Sequence, residues 1–175
     1  IGTSILFGGS IEQFSFTEDF SFSIGGTSAL LTILLASCIE EFGWRGYMVD
    51  AMKGESFMKK TLFIGFVWGI WHAPLVLAGH NYPQHPVAGV GMMCIFCILV
   101  GFVELYFREK TGSVVIAACI HGAINAIAAL VVLFVQGGSD LTIGLSGAAG
   151  FIALAIICAC IWMYDKRCEP ARIIR

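Results

Sequence analysis

Charged residues are scarce in this sequence. Lys, Arg, Asp and Glu together make up 13% of the 175 residues, whereas a soluble domain usually carries about 25%. Hydrophobic residues account for 58%, and the mean hydropathy is +0.86. A chain with so little polar surface cannot cover a water-soluble globule. The composition therefore excludes a soluble domain, and we expect no nucleic acid among its partners.

Neither a cleavable leader nor a disulfide framework is visible in this sequence. No basic segment precedes an apolar stretch, and no small-residue cleavage site follows one. The chain begins at Ile1, and residues 1–9 resemble the end of an apolar segment, which predicts a fragment lacking earlier helices. Six of the seven cysteines lie inside apolar stretches, where free cysteine behaves as a small hydrophobe.

Long apolar runs are what the sequence does have. A helix needs about 20 apolar residues to cross the hydrocarbon core. Five stretches qualify, and they are residues 24–49, 61–79, 87–107, 113–135 and 143–164. Lipid offers backbone groups no water, so such spans should be helical. We predict an all-α, polytopic bundle of five transmembrane helices, forming one domain over residues 1–175 in the lipid bilayer.

The basic residues indicate how this bundle is oriented. Nine of the ten Lys and Arg residues follow the first, third or fifth predicted span. The loops 80–86 and 136–142 contain none. By the positive-inside rule, the basic loops are predicted to be cytoplasmic.

The first span carries charges where they are costly. Glu41 and Arg45 are four residues apart, so they share a helix face and can form an ion pair. Glu40 points about 100° away and has no local partner. The alternative is that both glutamates share Arg45. Charged groups at this depth usually mark function.

Two later spans carry polar groups at a similar depth. His72 is in the second span, and His121 and Asn125 lie four residues apart in the fourth. Glu40, His72 and His121 are 11–13 residues from the nearest basic residue at the cytoplasmic end, or about 16–20 Å at 1.5 Å per residue. Three helices therefore present ionisable groups at one level, which predicts a single site.

This set of side chains favours hydrolysis by water. A carboxylate in a low-dielectric site can act as a general base near neutral pH, and a neighbouring His can share the proton of a water molecule. N–H donors from a second His and an Asn would suit an oxyanion hole. No Ser or Cys in these segments has an obvious activating base, so direct attack by water is expected.

Metal remains an open alternative. Glu40, His72 and His121 match the ligand set of a catalytic zinc site with water in the fourth position. The spacing differs from the His-Glu-x-x-His motif of zinc proteases. A zinc-bound Glu40 could not serve as the base, and Glu41 faces Arg45. The preferred prediction is therefore a hydrolase without a cofactor.

Three further features have simpler interpretations. Gly65 and Gly69 are spaced for close helix packing. Glu104 is interpreted as a snorkelling or polar residue near a helix end, with contact to the site as the alternative. His80 and His85 are interpreted as solvated loop residues.

The ordered motifs resemble a known family. Glu40-Glu41-x-x-x-Arg45, an aromatic residue four positions before His72, and His121-x-x-x-Asn125 are similar to the motifs of the CPBP family, also called Abi. This family comprises type II CAAX prenyl endopeptidases and proteins of bacteriocin processing and immunity. The resemblance covers about residues 36–128. Trp68 is a departure, because the family usually has Phe there.

The resemblance implies a role for each residue. Glu40 and His72 would activate the water, His121 and Asn125 would hold the oxyanion, and Glu41 and Arg45 would give structural support. The expected activity is intramembrane proteolysis of a membrane protein or peptide, lipidated or not, in a site opening toward the cytoplasm. Two alternatives are a non-catalytic immunity or binding protein and a transporter with mid-membrane Glu and His.

Overall fold

A computed structural model describes residues 31, 35–134, 137–168 and 173–174. Predictions for residues 1–9 and for the start of the first span lie outside these residues. The described chain is helical and contains no strand, which confirms the all-α prediction.

Within the described residues, six helical segments follow one another. The first, α1, covers residues 35–51. The others are α2 (Phe57–Trp71), α3 (Ala73–Leu77), α4 (Pro86–Thr111), α5 (Val114–Phe134) and α6 (Ala148–Cys168). Among the described helices, α4 and α6 are long and apolar enough to cross a membrane, and α5 contains a shorter apolar stretch, Val114–Ala128.

The first helix is not a regular α-helix. Its segment Phe42–Met48 is a π-helix, and Glu41 is the residue that precedes it. Arg108 of α4 donates from Nε to the carbonyl oxygen of Arg45 inside this segment, at 3.0 Å. π-Helical turns are rare and are frequent at functional sites. The apolar pattern did not predict this segment.

The second predicted span, 61–79, is interrupted. Helix α2 ends at Trp71, His72 is its C-cap, and α3 begins at Ala73. Pro74 lies in the first turn of α3 and has no N–H with which to continue the ladder of the preceding helix. The prediction of one continuous helix was wrong here, and His72 lies at the break.

Small residues let α2 pack closely on α4. A Cβ atom on Gly65 would lie 2.7 Å from Cα of Ile98, and one on Gly69 would lie 2.4 Å from Cα of Cys94. Neither position could hold a larger residue without moving the backbone of α4. The predicted packing role of this glycine pair is confirmed.

One face of α2 is apolar but exposed. Its side chains are between 45% and 53% exposed: Leu62, Phe63, Phe66 and Ile70. The opposite face, which includes Ile64 and Trp68, is buried in the core. An apolar stripe facing away from the core on a helix of this kind fits contact with lipid.

Candidate active site

The four side chains predicted to share one site line one cavity. This cavity has a volume of about 460 Å³, and its walls include Glu40, His72, His121 and Asn125. They come from α1, the α2–α3 break and α5. The structure therefore brings together groups from three separate segments of the chain.

Trp68 lines the same cavity and contacts several of its polar side chains. Its indole Nε1 donates a hydrogen bond of 2.9 Å to Oε2 of Glu40. Its ring lies edge-on to His121, with a centroid separation of 5.1 Å, and the guanidinium of Arg45 lies 4.5 Å from its centroid. The sequence indicated an aromatic residue here but not this contact with Glu40.

The break after α2 determines how His72 is held. Nδ1 of His72 lies 2.9 Å from the carbonyl oxygen of Trp68. A carbonyl oxygen only accepts, so Nδ1 carries the hydrogen in this contact. The other ring nitrogen, Nε2, is then the one left for a group in the cavity.

Glu41 contacts the ring of His121. Nδ1 of His121 lies 3.0 Å from Oε1 of Glu41, and NH1 of Arg45 donates to the same oxygen at 2.9 Å. The predicted pairing of Glu41 with Arg45 is therefore present. A carboxylate in an ion pair only accepts, so Nδ1 of His121 carries the hydrogen and Nε2 is left for the cavity.

Glu104 belongs to this cluster, which was the alternative interpretation of this residue. Its carboxylate is completely buried, and Oε2 forms an ion pair of 2.5 Å with NH2 of Arg45. The interpretation of Glu104 as a polar residue near a helix end was wrong. The signal was available: Glu104 is the one carboxylate inside the apolar stretch 87–107, and such residues usually pair within the bundle.

The guanidinium of Arg45 occupies space next to Gly101. A Cβ atom on Gly101 would lie 2.9 Å from NH2 of Arg45, so the absence of a side chain there admits the guanidinium. Two carboxylates, Glu41 and Glu104, surround one guanidinium.

Asn125 lies one turn from His121 on α5. Its Nδ2 is 3.4 Å from Oγ of the buried Ser37 on α1. This contact orients the amide across the cavity. Ser37 was not singled out from the sequence, since a hydroxyl in an apolar helix carries little signal by itself.

One group of buried side chains lies close enough to share an ion. Among the described residues, the three side chains close enough to share an ion are Glu41, Glu104 and His121, with ligand atoms within 4.8 Å of one another. They are not the predicted set of Glu40, His72 and His121. Arg45 already bridges the two carboxylates, and a bound cation would have to displace it. The choice between zinc at Glu40, His72 and His121 and hydrolysis without metal stays a prediction.

The rest of the cavity is mostly apolar. Its walls include Leu75, Met93, Phe96, Val100, Ile124 and Leu145. The lining also reaches His80, Asn81 and Ser146, in the connections that contain no Lys or Arg. His80, interpreted as a solvated loop residue, thus also faces the cavity. Opening toward the basic loops stays a prediction.

Comparison with known proteins identifies the family. The family model described as type II CAAX prenyl endopeptidase Rce1-like matches residues 25–127. The chain belongs to this Rce1-like family of type II CAAX prenyl endopeptidases. The match confirms the resemblance indicated by the three ordered motifs, which all lie within the matched residues.

A curated relative extends the likeness over almost the whole chain. CAAX prenyl protease 2 from Methanococcus maripaludis is 33% identical over 171 residues, which cover 94% of this chain and 59% of the relative. The chain thus spans about three fifths of the length of that protein. Family membership, together with the apolar helices, makes this chain an integral membrane protein.

Proposed function

We propose that this protein is an intramembrane endopeptidase that hydrolyses a peptide bond with a water molecule activated by Glu40 and His72. The observation that carries the proposal is the cavity, because Glu40, His72, His121 and Asn125 all line it. The family match and the relative's name support the same class of reaction.

The proposed steps follow from the side-chain atoms that the contacts described above leave for water and substrate. Glu40 and Nε2 of His72 accept from the water, and its proton passes to Glu40 as the oxygen attacks the scissile carbonyl carbon. The carbonyl oxygen becomes an oxyanion. When the C–N bond breaks, the proton moves from Glu40 to the leaving amine.

Two donors stabilise the oxyanion. The amide Nδ2–H of Asn125 is one, and Nε2–H of His121 is the other. Since Nδ1–H of His121 is directed to Glu41, donation from Nε2 requires the imidazolium form. The carboxylate of Glu41, which lies 3.0 Å from Nδ1 of His121, is the counter-charge for that form.

The substrate we propose is a membrane-associated protein or peptide of the CAAX type, with bacteriocin-type processing as the second possibility. The apolar walls fit a lipidated or otherwise apolar segment. We further propose five transmembrane helices with the basic loops in the cytoplasm and the site reached from that side. The charge pattern of the loops supports this orientation.

Two other functions are less well supported. A non-catalytic immunity or binding protein would not need Glu40 and His72 to share a cavity with His121 and Asn125. A transporter is expected to have broken helices, and the chain has one at His72, but it is also expected to have inverted repeats. No repeat is visible in the sequence, and the family match favours proteolysis.

A direct assay can test the proposal. The purified chain in liposomes is incubated with fluorescence-quenched peptides ending in a CAAX sequence, with and without a farnesyl group. We expect cleavage before the last three residues, and no cleavage by Glu40→Gln. Equal turnover by the wild type and Glu40→Gln would exclude the mechanism, and no cleavage of any peptide would favour the binding alternative.

A further inference from the structure

Trp68 contacts both members of the proposed water-activating pair, Glu40 and His72. The indole Nε1 of Trp68 donates to Oε2 of Glu40 at 2.9 Å, and the backbone oxygen of Trp68 accepts from Nδ1 of His72 at 2.9 Å. We propose that Trp68 is a positioning residue that fixes the carboxylate of Glu40 and the imidazole of His72 around one water. This inference rests on the proposed function.

Each contact leaves one atom of the pair for the water. The indole N–H is only a donor, so it occupies Oε2 of Glu40 and directs Oε1 to the cavity. The carbonyl oxygen is only an acceptor, so it places the hydrogen of His72 on Nδ1 and leaves a lone pair on Nε2. The two remaining acceptors match the two hydrogens of a single water molecule.

Trp68 is well suited to hold a carboxylate in place because its side chain is buried and closely packed. Its side chain is 2% exposed, and the guanidinium of Arg45 packs against its ring face. The close approach of α2 to α4 at Gly65 and Gly69 fixes the helix that carries it. A side chain in this setting has little freedom to follow a displaced Glu40.

A conservative substitution isolates the side-chain contact. Trp68→Phe keeps an aromatic ring and the backbone carbonyl, but it removes the N–H that Glu40 accepts. Phe is also the residue that the resemblance leads one to expect at this position. Trp44→Phe is the matched control, because Trp44 is half-buried against the same core and lies outside the cavity lining.

The first readout separates kcat from KM. We expect Trp68→Phe to lower kcat about 10- to 100-fold with little change in KM, because a hydrogen bond to a charged group and the alignment of the base are lost. Trp44→Phe should lose the same indole N–H with kcat near that of the wild type. Equal kcat values for the two variants would overturn the proposal.

The second readout does not depend on activity. The indole N–H resonances of ¹⁵N-labelled protein report each Trp, and loss of one signal in Trp68→Phe assigns that residue. Glu40→Gln should shift the Trp68 signal and leave the Trp44 signal in place. An unchanged Trp68 signal would overturn the proposal even if no peptide is cleaved, so its failure is distinct from failure of the proposed function.

Discussion

Glu41 and His121 are joined by a contact of 3.0 Å between Oε1 and Nδ1, although they lie on different helices. The sequence suggested Arg45 as the partner of Glu41, and the same oxygen serves both. Adjacent residues on α1 therefore serve different parts of the site. Glu40 reaches Trp68, and Glu41 reaches His121 and Arg45.

This division predicts different outcomes for two matched substitutions. Glu40→Gln keeps the shape of the side chain but cannot take a proton, so we expect kcat to fall at least about 100-fold with the melting temperature unchanged. Glu41→Gln should lower both activity and the free energy of unfolding, the latter by about 1–3 kcal/mol. Activity and thermal unfolding of both variants check this, and exchanged phenotypes would refute the assignment.

The buried charges predict an order of stability. Arg45→Gln leaves two carboxylates in the core without their cation, at a cost of about 3–5 kcal/mol. Glu104→Gln still leaves Arg45 with Glu41, so it should cost less. Adding Glu104→Gln to Arg45→Gln should then recover part of the lost stability. Denaturation of the three variants measures this, and additive losses would contradict the cluster.

Helix packing predicts a contrast between two glycines. Gly69→Ala places a methyl group against the backbone of Cys94, which has no rotamer to relieve it, and should cost about 1–3 kcal/mol. Gly91→Ala on α4 meets nothing within 4 Å and should be neutral. Melting temperatures in one detergent compare the two, and equal values would show that α2 and α4 are not so close.

Metal dependence gives a further prediction. Because Arg45 occupies the group formed by Glu41, Glu104 and His121, we expect purified protein to contain no stoichiometric zinc. Cleavage should continue in strong chelators. Activity that disappears with a chelator and returns with zinc would instead make Glu40, His72 and His121 ligands.

A loop contact predicts a response to acid. Asp140 accepts from His85 Nδ1 at 2.6 Å and from the Gln84 N–H at 2.7 Å. Burial raises the pKa of Asp140, but the hydrogen bonds from His85 and Gln84 outweigh it and hold this pKa below its ordinary value. The contact should therefore stabilise above the unfolded pKa of about 3.9 and be lost as the pH falls further. Melting temperature should depend less on pH between 3 and 6 in Asp140→Asn, and parallel curves would contradict this.

The helical class and the set of four side chains that line one cavity could be predicted because both depend on simple properties. The length of an apolar stretch predicts a membrane-spanning helix. The number of residues between a side chain and the basic end of its helix gives the depth of that side chain in the membrane. That is why Glu40, His72 and His121 were assigned to one level. The spacing of Glu41 and Arg45 likewise predicted a pair that the structure contains.

The partners across helices could not be predicted in the same way. Depth does not give the rotation of one helix against another, so Glu104 was not matched with Arg45, nor Trp68 with Glu40. The π-helical turn changes the direction of side chains around residues 42–48, which a regular period of 3.6 residues cannot anticipate. Pro74 was visible, but the position of the break at His72 depends on backbone hydrogen bonds.

The bridge from Arg45 to Glu104 also has a consequence for biogenesis. Glu41 and Arg45 neutralise each other within one helix, so α1 can enter the membrane with its charges already paired. Glu104 pairs across helices with Arg45, which precedes it by 59 residues in the chain. The late arrival of α4 therefore couples insertion of the third predicted span to docking against the first, and a ribosome-bound chain ending before α4 would hold Arg45 with one carboxylate instead of two.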